Sequence, residues 1–214
     1  MRFAFSTNGH SIIEYDGISY IEQEVDRFPS PEELWLRLKK EEQIPDDVEE
    51  KILEPLFHLP DKIPRYYQEI AINRAICEIY RGKRRILLTL ATGTGKTFIA
   101  FQIIWKLWNQ RWTRPGERRR PKVLYLADRN VLIDDPKDKM FTIFGDARWK
   151  VQGEVIKSRD IYFATYQSIA RDERRPGLYK EFGKDFFDFI VVDECHRGSA
   201  RDDSNWREIL DFFD

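Results

Sequence analysis

ILLTLATGTGKT, Ile86 to Thr97, passes from an apolar run through two glycines into a lysine and a threonine. The run Ile86 to Leu90 predicts a strand covered on both faces, as in a parallel sheet. Residues 90–97 follow the phosphate-loop pattern G-x-x-x-x-G-K-[ST], with Leu90 where the first glycine is expected. Gly93 and Gly95 let the backbone curl so that successive N–H groups converge on one anion. The helix predicted from Thr97 to about Asn109, with Ile99, Ile103 and Leu107 on one face, adds its positive N-terminus. In this reading Lys96 reaches the β- and γ-phosphates, and the Thr97 hydroxyl joins a Mg²⁺ shell. A plain glycine turn is the alternative, and a strand before with a helix after favours the nucleotide.

Outward from this segment the pattern repeats. Apolar runs recur at Val123–Leu126, Ile161–Ala164 and Phe189–Val192, and residues 66–81 read as a helix with Ile72, Ile76 and Ile79 aligned. Strands alternating with helices predict an α/β, doubly wound domain with a parallel sheet. Their order in the sheet is not legible. The last run ends in two acids. Asp193 suits a water-mediated hold on Mg²⁺ and Glu194 suits polarisation of an attacking water; a solvated strand end is the bland alternative. Adjacent Cys195 and His196 lack the four-ligand spacing of a zinc site, and Cys195 is expected to be a small buried spacer.

Upstream lies a different composition. Short apolar runs punctuated by Asn8-Gly9 and Asp16-Gly17 predict a β-meander. Ser30, Pro31 and Glu33 predict a capped helix with Leu34, Trp35 and Leu38 on its apolar side. Residues 41–62, acidic and broken by Pro45, Pro55 and Pro60, read as a connection rather than core. The expected domains are therefore a connector, 1–58, and an ATP-binding domain, 59–214. With 36 basic and 37 acidic residues and 42% hydrophobic content, the 214-residue chain can build a core and is not a histone-like polycation. Basic clusters at 81–85 and 111–122 read as solvated loops before strands. No apolar run nears the roughly 20 residues of a membrane span, and no signal peptide or disulfide framework is visible, so a cytoplasmic protein is expected.

ATGTGKT (Ala91 to Thr97) followed by DECH (Asp193 to His196) resembles the P-loop NTPase core of superfamily 2 helicases and translocases, in their first RecA-like motor domain. RYYQ (Arg65 to Gln68) resembles the adenine-recognising glutamine motif of that family. LADRNVLIDD (Leu126 to Asp135) and ATYQSI (Ala164 to Ile169) resemble its nucleic-acid-contacting motifs. STNGHSIIEYD (Ser6 to Asp16), DRFPSPEELW (Asp26 to Trp35) and DECHRGS (Asp193 to Ser199) resemble the restriction (R) subunit of type I restriction-modification enzymes.

The resemblance implies an ATP-dependent DNA translocase with Mg²⁺ and ATP as cofactors. It implies phosphate binding by Thr92, Gly93, Thr94, Gly95, Lys96 and Thr97, and adenine recognition by Gln68 with Tyr66 or Tyr67 stacking. It further implies catalysis by Lys96 and Glu194, metal binding by Thr97 and Asp193, and coupling through His196. Arg129, Thr165, Tyr166 and Gln167 would face the backbone of double-stranded DNA, with ordinary loop packing as their alternative. Implied partners are a second RecA-like domain and a nuclease domain of the parent chain, with modification and specificity subunits. The missing nuclease core and the end at DFFD lead to the expectation of a fragment truncated before the second motor domain. Another superfamily 2 helicase remains an alternative, as does an ATP-binding switch without turnover, against which Glu194 argues.

Overall fold

Asn8 and Gly9 make the first tight turn: Gly9 takes φ +88°, and the Asn8 side chain accepts from the N–H groups of His10 and Ser11, both at 2.9 Å. The computed structural model describes all residues except 1, 18, 61, 171–176, 195–199 and 214, and not the side chains of 200–205. It divides into two compact units, Met1–Ile52 and Leu53–Asp214.

The first unit is a three-stranded antiparallel sheet, β1 (Phe3–Thr7), β2 (Ile12–Asp16) and β3 (Ile21–Val25), followed by α1 (Pro31–Glu41) and α2 (Asp46–Leu53). Ser30 caps α1 as its sequence requires, Glu33 N–H donating to Ser30 Oγ at 3.2 Å and Ser30 N–H to Glu33 Oε2 at 2.8 Å. Glu14 of β2 is fully buried, and Arg37 of α1 holds its carboxylate at 2.5 Å. A buried charge of this kind is tolerable because it is paired. The reading of residues 41–62 as a mere connection is corrected by α2. Ile44, Val48 and Ile52, spaced by four, are all buried. The acids that suggested a solvated linker fill the first turn of α2, where the helix dipole favours them.

The second unit contains α3 (Tyr66–Tyr80), α4 (Lys96–Asn109), β4 (Val123–Ala127), α5 (Val131–Lys139), β5 (Arg148–Lys150), β6 (Ile161–Thr165), α6 (Tyr166–Ile169), β7 (Phe189–Val192) and α7 (Ala200–Phe213). Four strands form a parallel sheet in the order β5-β6-β4-β7, the α/β architecture that the alternating pattern predicts. β4 and β6 are buried throughout, which explains their uninterrupted apolar sequences. Tyr125 and Phe163 face Phe141, which stacks edge-on against Phe101 of α4 at 5.1 Å. Leu124, Leu126 and Tyr162 join Ile209 and Phe213 in the cluster that includes α7. Among the described residues no helix is long and apolar enough to cross a membrane.

One expected strand is absent. Ile86 to Leu90 forms no regular structure, and Leu87 is 79% exposed. β preference depends on neighbours that bury both faces and complete a ladder. β7, half-buried along its length, is the edge of the sheet, and the run pairs with no strand. At the opposite end of β7, Asp188 is buried and accepts from Arg119 Nη1 (2.5 Å) and from the N–H groups of Lys122 (2.7 Å) and Arg114 (3.2 Å). The second basic cluster is thus partly structural, not simply solvated.

Candidate nucleotide site

The loop before α4 is shaped by its glycines. Gly93 (φ +79°) and Gly95 (φ +85°) lie in the left-handed region, where only glycine is unstrained. Gly95 caps α4, its carbonyl accepting from Ile99 N–H at 3.1 Å. The loop is braced from α3. Gln68 Nε2 donates to the Thr94 carbonyl at 2.8 Å, Tyr67 Oη donates to the same oxygen at 3.2 Å, and Gln68 Oε1 accepts from Arg65 N–H at 2.9 Å. A Cβ on Gly95 would lie 2.5 Å from Gln68 Nε2, whereas the space above Gly93 is open. That openness lets an anion approach the backbone.

The acids arrive from β7. Asp193 N–H continues the ladder to the Leu126 carbonyl at 2.8 Å. Its carboxylate, almost fully buried, accepts from Tyr125 Oη at 2.5 Å, and its carbonyl accepts from Tyr166 Oη at 2.9 Å. The Thr97 side chain also interacts with the Tyr125 hydroxyl, so that hydroxyl stands between Thr97 and Asp193. Burial, reinforced by the Asp193 charge, pushes the Tyr125 hydroxyl well above its usual pKa and keeps it a donor. Glu194 takes φ +55°, a left-handed conformation that costs a non-glycine residue about 1–3 kcal/mol. Its Oε1 lies 3.0 Å from Lys96 Nζ, which also reaches the Leu90 carbonyl at 3.4 Å.

Residues almost a hundred positions apart, Lys96 and Thr97 with Asp193 and Glu194, therefore meet at the C-terminal ends of the strands, where α/β sheets bind ligands. The donor set fits a magnesium nucleotide. Open loop N–H groups, an ammonium and a helix N-terminus suit phosphate oxygens, and the Thr97 hydroxyl and Asp193 carboxylate are hard oxygen ligands. Among the described residues there is no group of three or more His, Cys, Asp or Glu that could hold a metal ion.

The remaining expected site residues separate. Tyr66 is exposed and packs edge-on against Tyr67, with ring centroids 5.6 Å apart; Thr92 is exposed. Arg129, after β4, is 80% exposed and pairs with Asp128, and Gln167, after the neighbouring strand β6, is exposed as well. Tyr166 is fully buried, and Thr165 turns inward to accept from Ser168 N–H at 3.1 Å, capping α6. His196 and Cys195 lie outside the described residues. The sequence reading missed Tyr125. Its signal was present: a tyrosine inside the aliphatic run VLYLA must find a partner for its buried hydroxyl.

Residues 61–214 match the family profile described as type III restriction enzyme, res subunit. The chain is 42% identical, over 99% of its length, to the type I restriction enzyme EcoAI endonuclease subunit of Escherichia coli, of which it spans 26%. Over 70% of its length it is 32% identical to the EcoKI endonuclease subunit of E. coli K12, of which it spans 14%. A solved fragment assigned as the HsdR subunit of a type I restriction enzyme from Vibrio vulnificus YJ016 is 51% identical, with a TM-score of 0.77. That match covers all of this chain and 36% of the other.

Proposed function

The chain belongs to the family described as type III restriction enzyme, res subunit, with its superfamily 2 motor region, and we propose that it is the ATP-driven motor segment of a DNA-translocating type I restriction subunit. One observation carries the proposal: the phosphate-loop Lys96 lies 3.0 Å from Glu194, beside the buried Asp193.

In this reading the loop N–H groups and Lys96 hold the phosphates, and Thr97 and Asp193 hold the metal. Bound Mg²⁺ supplies positive charge that neutralises the phosphates and polarises the transferred group. Lys96 exchanges its carboxylate partner for phosphate oxygens, which releases Glu194. Glu194 then orients the attacking water and accepts its proton. Gln68 has one N–H and one lone pair left after bracing the loop, a donor and an acceptor that match the adenine edge, with Tyr66 stacking. Arg129 and Gln167 contact the DNA backbone, and Thr165 and Tyr166 act behind them by fixing α6 and Asp193. His196 couples the two sites. The second RecA-like domain, the nuclease domain and the modification and specificity subunits complete a cytoplasmic enzyme.

DNA-stimulated ATP hydrolysis tests the proposal. Lys96→Ala should abolish nucleotide binding in calorimetry. Glu194→Gln should bind ATP normally and hydrolyse it roughly 10²–10⁴-fold more slowly. Wild-type turnover in the Glu194 variant would remove its catalytic role.

A further inference from the structure

Two basic loops, one after α3 and one between α4 and β4, lie at the end of the sheet opposite the nucleotide site. Residues 81–85 and 111–122 hold ten Lys or Arg, eight of them Arg, against one acid, Glu117. α3 and α4 finish side by side there, Tyr80 Oη donating to Gln110 Oε1 at 2.7 Å. α4 starts at Lys96 and ends at Asn109, so this rim lies roughly 20 Å from the phosphate loop at 1.5 Å per residue.

The rim is fixed in place. Arg119 forks onto Asp188 at 2.5 and 3.1 Å, Lys122 pairs with Asp160 at 2.9 Å, and Arg85 approaches Asp211 at 3.6 Å. Arg120 lies 3.3 Å over the ring of Trp108. These pairs occupy the neighbouring acids. Lys83, Arg111 and Arg118 carry no ion pair among the described residues. All three are exposed, so their charges are open to an anion at this rim.

We infer that this rim is a second contact for duplex DNA, gripping phosphates without regard to sequence and apart from the nucleotide site. The cations spread over two separate loops, which suits a linear polyanion better than a single ion. Arginine predominates, and its guanidinium matches phosphate oxygens two at a time. Charge is also segregated along the chain: residues 1–52 hold 6 basic and 13 acidic side chains, and residues 53–214 hold 30 and 24. A polyanion is therefore drawn to the second unit. The inference goes beyond the proposed motor function and does not depend on it, because such a grip needs no ATP.

Fluorescence anisotropy of the purified chain with labelled duplexes of two unrelated sequences, without nucleotide, tests it across roughly 50–200 mM salt. Lys83→Ala/Arg111→Ala/Arg118→Ala should bind both duplexes about tenfold or more weakly. It should also flatten the slope of log K against log salt by about 2–3, each phosphate contact contributing about 0.9. Lys83→Arg/Arg111→Lys/Arg118→Lys, which keeps the charge, should retain the wild-type slope. Both variants should melt and bind ATP as wild type does, which separates this test from the Lys96→Ala test of the nucleotide site. An unchanged slope in the alanine variant would overturn the inference. So would preferential binding of poly-glutamate over duplex at equal charge, which would identify an acidic protein as the occupant.

Discussion

Tyr125 shows how much of the site hangs on one hydroxyl. It donates to the Asp193 carboxylate and interacts with Thr97, the two side chains proposed to hold the metal, while its ring packs against Phe163 at 5.6 Å. Tyr125→Phe keeps the ring and removes the link. Outer partners of metal ligands are typically worth 10–100-fold in affinity. The variant should therefore need about tenfold more Mg²⁺ to bind ATP, with overall stability little changed. Superimposable Mg²⁺ titrations for variant and wild type would show that the hydroxyl only fills space. Gly95 makes the complementary point about backbone. Its φ of +85° and the closeness of Gln68 Nε2 both exclude a side chain.

At the scale of the element, α4 carries the phosphate loop at one end and a buried lysine near the other. Lys106 is buried and donates to the Glu54 carbonyl at 2.6 Å, and the Glu54 carboxylate accepts from Asn109 and Gln110. Burial, only partly offset by Glu54, lowers the Lys106 pKa from 10.5 to about 8. Below pH 8 the lysine is charged in both folded and unfolded chains, and folding carries the full desolvation cost. As pH rises through 8 the folded chain releases the proton while the unfolded chain keeps it, so stability rises. Tyr80, pushed up to about 12, works in the opposite direction only above its usual 10. The thermal midpoint of wild type minus that of Lys106→Met should therefore increase between pH 8 and 10. A difference that ignores pH across that window would contradict the assignment.

The whole molecule combines an acidic β/α unit with a basic parallel-sheet unit, and it leaves one apolar run outside any sheet. Leu87 is 79% exposed within that run. Exposed positions without special contacts usually tolerate substitution within about 0.5 kcal/mol. Leu87→Lys should thus shift the urea midpoint of this chain very little and should reduce self-association, because it interrupts an exposed apolar stretch. A loss of more than about 2 kcal/mol, the scale of a buried leucine, would show instead that the run is covered in solution.

Sequence alone determined the features that depend on a few neighbouring residues. Ser30 and Glu33 close a capping box because both lie within one helical turn, and Gly93 and Gly95 mark the loop because positive φ excludes side chains. The interiors of β4 and β6 are legible because strands covered on both faces have no polar position to spare. The same logic failed at Ile86 to Leu90, since apolar composition does not by itself supply the ladder and the two-sided cover that make a strand, and this run has neither although β7 offers an edge. It failed again in residues 41–62, where acidic residues hid the spacing of Ile44, Val48 and Ile52. Tertiary structure decided the strand order β5-β6-β4-β7, the inward turn of Tyr166 and the meeting of Lys96 with Glu194. Those contacts join residues far apart in the chain, so they exist only once long-range strand pairing has chosen which ends of the sheet lie together.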